Sequence, residues 1–328
     1  MKTALTPLAV ALVVVVSAAA MESSKQARAA EVIVGTGANS PVHYDVGRAL
    51  CRALATASQP MTCEVERIEG RDAPEPLAVL GEVRNNAIDI GIAPSDWLHH
   101  AYNAMGPVEF MDVNFDNLRV LLSLHSQPFT LIARRDSGIT NLDDLAGKRV
   151  NIGVPGSDER LVMQQVMAAK GWFRDSFSLA DELTGAEQSL ALCHDRIQAM
   201  VAIVSHPNTA LGKTMELCDA ELIPVTGNEI GGLVEYYPYF AITEIPAGTY
   251  DGQKIAVRTF GVKVVLVVAE EMADQVAFDI VDAVFSNFAR FKRLHPALRH
   301  LELQDLHSDG ESAPMHPGAI RKFNEIGM

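Results

Sequence analysis

Basic charge is what this 328-residue chain most lacks: 27 lysines and arginines stand against 41 aspartates and glutamates, a formal net charge of −14. Such a balance repels a phosphate backbone and leaves no basic stripe to hold one, so nucleic acid is excluded as a partner. Cysteine is scarce too. Four cysteines in a chain this long cannot frame a disulfide miniprotein, and no metal-type Cys-x-x-Cys occurs, so the fold must stand on a hydrophobic core. Beyond the first thirty residues no apolar run reaches the roughly 20 residues that a spanning helix needs. Val262 to Val268 is short, and Lys263 interrupts it. Enzyme templates are missing as well: there is no Gly-x-Ser-x-Gly elbow, no His-Glu-x-x-His and no Walker loop. The ten histidines are scattered. His99 and His100 point about 100° apart on a helix, which suits neither zinc chelation nor a shared site, and the histidines are expected at surface or helix-end positions. Gly35-Thr36-Gly37-Ala38-Asn39-Ser40 is like a dinucleotide loop, but Ser40 stands where the third glycine belongs. No metal and no cofactor is expected.

What is there begins with an address. Lys2 gives a thin positive start, Leu8 to Ala20 is small and apolar apart from Ser17, and two Ala-x-Ala sites follow, the pattern of a secretory signal peptide over residues 1–30. Cleavage after Ala20 and after Ala29 both fit; the second leaves Glu31-Val32-Ile33-Val34-Gly35 to start a first strand. Removal of residues 1–29 takes away Lys2, Lys25, Arg28 and Glu22, which leaves an exported, acidic chain of net charge −16. In an oxidising compartment Cys51, Cys63, Cys193 and Cys218 should pair. Of the three connectivities, Cys51 with Cys63 and Cys193 with Cys218 closes the shortest loops.

Short β-branched runs then alternate with segments of 3.6-residue period, the signature of an α/β fold with helices over a central sheet. Strands are expected at 32–35, 63–68, 88–93, 118–124, 129–134, 149–153, 199–204, 220–225 and 262–268. Helices are expected at 42–57, 75–85, 95–105, 160–171, 186–193 and 274–294. In the last of these Val276, Ile280, Val281, Val284, Phe288 and Phe291 form one apolar stripe. The runs 129–134 and 262–268 are candidates for a pair of crossing strands. The chain would then build one lobe from 31–128 and 262–328 and a second from 129–261, hinged to close on a small ligand.

Four small, polar turns lie between a strand and a helix: 35–40, 93–97, 153–158 and 205–208. Each can be a plain N-cap, or a cradle of backbone N–H groups for an anion. Their number and their division between the lobes favour one shared cleft. Arg160 can offer two parallel donors to a carboxylate, or make a helix-surface salt bridge with Asp158 or Glu159. Asp96 and Asp158 either cap their helices or bind an amine.

Several stretches carry a resemblance: Val34-Gly35-Thr36-Gly37, Ala93-Pro94-Ser95-Asp96-Trp97, the run 122–130, Gly147 to Gly153 with Pro155-Gly156-Ser157, and Ala186-Glu187-Gln188. His206-Pro207-Asn208, Thr259-Phe260-Gly261-Val262 and Ser312 to Ile320 continue it. Together they resemble the TAXI family of extracytoplasmic solute receptors, the binding components of tripartite ATP-independent periplasmic (TRAP) transporters. The resemblance implies a periplasmic-binding-protein type II fold of two lobes, each a sheet flanked by helices, joined by two crossing hinge strands. It implies no enzyme, but a periplasmic receptor that captures a small organic acid or acidic amino acid and delivers it to TRAP membrane permease subunits. A receptor for a membrane sensor and a small-ligand periplasmic enzyme are the alternatives. Carried over by position, the ligand contacts are Thr36, Gly37, Tyr44, Ser95, Gly156, Ser157, Arg160 and His206. His43, Asp45 and Asp158 depart from the family pattern and bring titratable groups close to the expected pocket.

Overall fold

A computed structural model describes residues 31–71, 73–109, 111–307 and 312–328; the expected signal peptide lies outside them. The chain opens with β1 (Glu31–Gly37), α1 (Pro41–Leu54), β2 (Thr62–Ile68), α2 (Glu75–Arg84), β3 (Ile90–Pro94) and α3 (Ser95–Asn103). β1 pairs in parallel with β2 on one side and β3 on the other, as helical crossovers demand. A 17-residue strand, β4 (Leu118–Arg134), follows. After it come β5 (Arg149–Asn151), α4 (Asp158–Lys170), β6 (Leu179–Asp181), α5 (Gly185–Cys193), β7 (Ala199–Ile203), α6 (Thr209–Leu217), β8 (Ala220–Ile223), α7 (Asn228–Tyr236) and β9 (Phe240–Ile245). The return strand β10 (Val257–Ala269) leads to α8 (Asp274–Ser286), the short α9 (Phe288–Phe291) and α10 (Pro317–Glu325).

The strands run in the order β2-β1-β3-β10-β4-β7-β5-β6, with β8 also on β4 and β9 also on β10. β4 and β10 tie the order together. They pair antiparallel from Leu118↔Ala269 to Pro128↔Gly261. Beyond that point β4 continues against β7 and β8, while β10 pairs with β9 at one end and β3 at the other. The expected crossing is therefore present in a different register. Residues 262–268 pair with 119–127, not with 129–134, because the two strands expected at 118–124 and 129–134 are one. Pro128 interrupts nothing: it sits at the last step of the ladder, where its missing N–H costs no bond.

Buried side chains cover both faces of each half. Leu50, Ile92, Leu122, Leu266, Ile280 and Phe323 share one cluster, and Leu80, Trp97, Leu98 and Val267 share a second. In the other half Phe129, Met163, Val201 and Phe260 form a third, and Ile132, Leu192, Met200 and Leu211 a fourth. The apolar stripe of α8 is buried through Ile280, Val281 and Val284, but the expected helix to 294 ends at Ser286, where Asn287 leaves helical geometry. The cysteines pair as Cys51–Cys63 and Cys193–Cys218. No helix among the described residues is long and apolar enough to cross a membrane.

Candidate functional site

The N-termini of α3 and α4, one from each half, meet. Ser95 Oγ donates to the Tyr239 carbonyl at 3.1 Å and accepts from the Lys263 backbone N–H at 3.0 Å, so it joins α3 to β10 and to the segment before β9. Trp97 Nε1 donates to Asp158 Oδ1 at 3.0 Å, across from α3 to the first residue of α4. Asp96 is buried beside it, and its Oδ1 accepts from the Trp97 N–H at 2.9 Å. A helix N-terminus favours a carboxylate anion, yet here burial wins. It pushes Asp96 up to about 7, with the Asp158 charge adding to the rise, and raises Asp158 to about 6 against the Trp97 hydrogen bond. Tyr239 closes the seam: its ring lies 5.0 Å from His99 and 5.4 Å from His100, and its hydroxyl accepts from Gln165 Nε2 at 2.8 Å. The adjacent histidines, expected to share nothing, share this ring.

The α1 side of the same junction is built from histidines and hydroxyls. His125 Nε2 is 2.8 Å from Ser205 Oγ, and His206 lies 2.8 Å from Thr130 Oγ1 and 2.6 Å from the Tyr250 hydroxyl. Gln127 reaches His43 at 3.3 Å. Burial lowers His43 and His206 to about 4 and takes His125 well below its ordinary range, so all three rings are neutral at physiological pH. His43 and His125 are buried, against the expectation of surface positions. A cavity of about 740 Å³ opens here, between β4, β10, the 206–207 turn, the 242–249 segment and the 296–305 segment. Lys263, Arg258 and Arg299 line it, with His125 and His206.

The eight contacts expected from sequence fall unevenly. Ser95 and Ser157 stand on the two helix ends that meet, although Ser157 Oγ accepts from the Arg160 N–H at 3.2 Å as an N-cap. Gly156 supplies the turn before it at φ +86°, where glycine is unstrained. His206 lines the cavity. Thr36, Gly37 and Tyr44 have partners in their own half. Thr36 Oγ1 faces the Glu66 carbonyl at 3.4 Å, Glu75 takes the Asn39 N–H beside Gly37 at 3.1 Å, and the Arg67 guanidinium lies 3.8 Å over the Tyr44 ring. The first glycine turn thus already holds a carboxylate of the chain itself. Arg160 pairs with Glu182 at 2.8 Å, neither Asp158 nor Glu159, and Glu182 also takes Arg174. His43 stands near the junction, as its departure from the family pattern suggested, whereas Lys263, His125 and Tyr239 were not expected there. Only Lys263 carries a signal: a lone cation inside a seven-residue β-branched run. No cluster of His, Cys, Asp or Glu among the described residues could hold a metal ion.

A family model described as the NMT1-like family matches residues 34–327. Among solved structures, a TctC solute binding protein from Polaromonas, without ligand, is similar with a TM-score of 0.56 and 15% identity, over 92% of this chain and 97% of that one. The probable amino-acid ABC transporter extracellular-binding protein ytmK from Bacillus subtilis is similar with a TM-score of 0.50 and 17% identity, over 81% of this chain and 96% of that one. At such identities the likeness is one of fold: a mixed α/β fold with a central sheet flanked by helices, as in periplasmic solute-binding proteins.

Proposed function

The chain belongs to the NMT1-like family, and from that premise we propose that it is an extracytoplasmic solute-binding receptor of the TAXI kind, serving a TRAP transporter. Residues 31–128 with 262–328 form one lobe and 129–261 the other; closure captures a small organic acid or acidic amino acid and presents it to the membrane permease. The signal peptide directs the chain to the periplasm, and the chain performs no catalysis. One observation carries the reading: two helix N-termini from opposite halves face each other across Trp97 and Asp158, beside two strands that run through both halves. Strands shared in this way permit hinge closure, and paired helix ends suit an anionic solute.

Within this reading Gly156, Ser157 and His206 contact the solute where they stand. Thr36, Gly37, Tyr44 and the fully buried Ser95 take part by exchanging their present partners on opening, and Arg160 by exchanging Glu182. A thermal-shift and calorimetric screen of the mature protein is the test, with glutamate, 2-oxoglutarate, related acids and neutral solutes as probes. A true solute at a hundredfold excess over its Kd adds about 2.7 kcal/mol of stability. If neutral solutes alone stabilise the protein, the acid class is wrong; if nothing in a broad panel does, the receptor reading falls.

A further inference from the structure

Three cations line the cavity at the junction, and none of them forms a salt bridge among the described residues: Lys263, Arg258 and Arg299. In a chain with 14 more acidic than basic residues, unpaired basic groups gathered at one cavity are conspicuous. Lys263 is the most telling. It is only 8% exposed, on a strand whose flanking residues Val262 and Val264 to Val268 are all buried. Burying an ammonium without a counter-ion is costly, and a leucine or valine would fill the strand without that cost. Beside it His125 is also buried, and its ring Nδ1 has no hydrogen-bond partner. The wall carries two carboxylates as well. Asp305 is engaged in capping its own turn through the Glu302 N–H at 2.8 Å, and Glu244 lies exposed at the edge.

We propose that this cavity is the anion subsite of the receptor, in which a carboxylate of the solute supplies the missing counter-ion of Lys263 and Arg258 and Arg299 hold the rim. The inference rests on the receptor reading and relocates the charge recognition that the four loops and Arg160 suggested. Its volume of about 740 Å³ lies within the range of small-molecule sites. Both lobes contribute: β4 and β10 carry His125 and Lys263, the 206–207 turn comes from one lobe and Arg299 from the other. Lobe opening would therefore release the anion.

The test compares the wild type with Lys263→Met, which keeps the stem and removes the charge, and with Arg299→Ala on the exposed rim, which cannot disturb the core. Glutamate, 2-oxoglutarate, a neutral-solute panel and inorganic sulfate are the probes, read by calorimetry and thermal shift. Loss of a buried charged hydrogen bond predicts Kd values about tenfold or more weaker for Lys263→Met and a smaller loss for Arg299→Ala, with the ligand-free melting temperature of Lys263→Met equal to or above that of the wild type. An acid that binds Lys263→Met and Arg299→Ala as tightly as the wild type overturns the subsite and leaves the receptor reading intact. Binding of neutral solutes alone also overturns the subsite, and binding of nothing overturns both. Stabilisation by sulfate alone, lost in Lys263→Met, supports an anion subsite while removing the carboxylate class.

Discussion

At Asp96 two rules compete, and the winner sets a pH dependence. A carboxylate in the first turn of a helix is ordinarily held below its usual range by the dipole. Asp96 is only 9% exposed and shares its surroundings with Asp158, so burial and like charge raise it to about 7, while an unfolded aspartate titrates near 3.9. The folded chain then holds a proton that the unfolded chain has released between about pH 4 and 7. Its stabilising effect is complete below pH 4 and is lost as pH rises through 7. This contribution slopes downward from pH 5 to pH 8 and is opposed by His43, His125 and His206, whose lowered values make the folded chain gain stability as pH rises toward 6.5. Asp96→Asn, neutral throughout, should remove the Asp96 contribution alone, so scanning calorimetry should find the variant gaining on the wild type as pH rises and melting higher at pH 8, by about 2–4 °C for each kcal/mol recovered. An unchanged slope would mean that Asp96 is ionised in the folded state. The sequence offered these carboxylates as helix caps or as partners of an amine; their mutual proximity was not legible, because it arises only when α3 and α4 meet.

At the scale of elements the crossing of β4 and β10 is the feature that the fold can least spare, and glycine makes it possible. A Cβ at Gly261 would lie 2.4 Å from the Gln127 carbonyl oxygen and 2.7 Å from Pro128 Cα, both backbone atoms that cannot move without separating the strands. Gly261→Ala should therefore destabilise by about 1–3 kcal/mol or more, read by urea unfolding; a loss within error would show that the crossing tolerates a wider spacing. The strands were legible because β-branched runs announce themselves. Five later elements were not, for local reasons. β6 has only the three residues Leu179–Asp181, too few to show an alternation. α7 contains Gly231-Gly232, each costing about 1 kcal/mol against alanine, and is held by burial of Ile230 and Leu233. α6 leaves Leu217 exposed, and β9 leaves Ile242 exposed, so neither shows a clean apolar face. α10 follows Pro317 with few buried positions, chiefly Ala319 and Phe323.

For the whole molecule the arrangement of the two disulfides separates stability from binding. Cys51–Cys63 ties α1 to β2 and Cys193–Cys218 ties the end of α5 to the end of α6, each within one half; their separations are 12 and 25 residues. Their pairing was legible because loop length alone ranks the three connectivities, whereas the β4–β10 register, which depends on contacts some 140 residues apart, could only be sketched. Closing loops of this size removes about 3 kcal/mol of unfolded-chain entropy apiece, a large share of the roughly 5–15 kcal/mol that holds a typical protein together. Full reduction should thus lower the melting temperature by more than 10 °C, at about 2–4 °C per kcal/mol. Neither bridge spans the junction, so on the proposed receptor reading, at temperatures well below both transitions, the reduced protein should bind a solute with the Kd of the oxidised form. Calorimetric titration before and after reduction decides the matter: a weakened Kd in folded, reduced protein would show that a bridge fixes the geometry of the cleft, and an unmoved melting temperature would show that the four core clusters hold the halves without them.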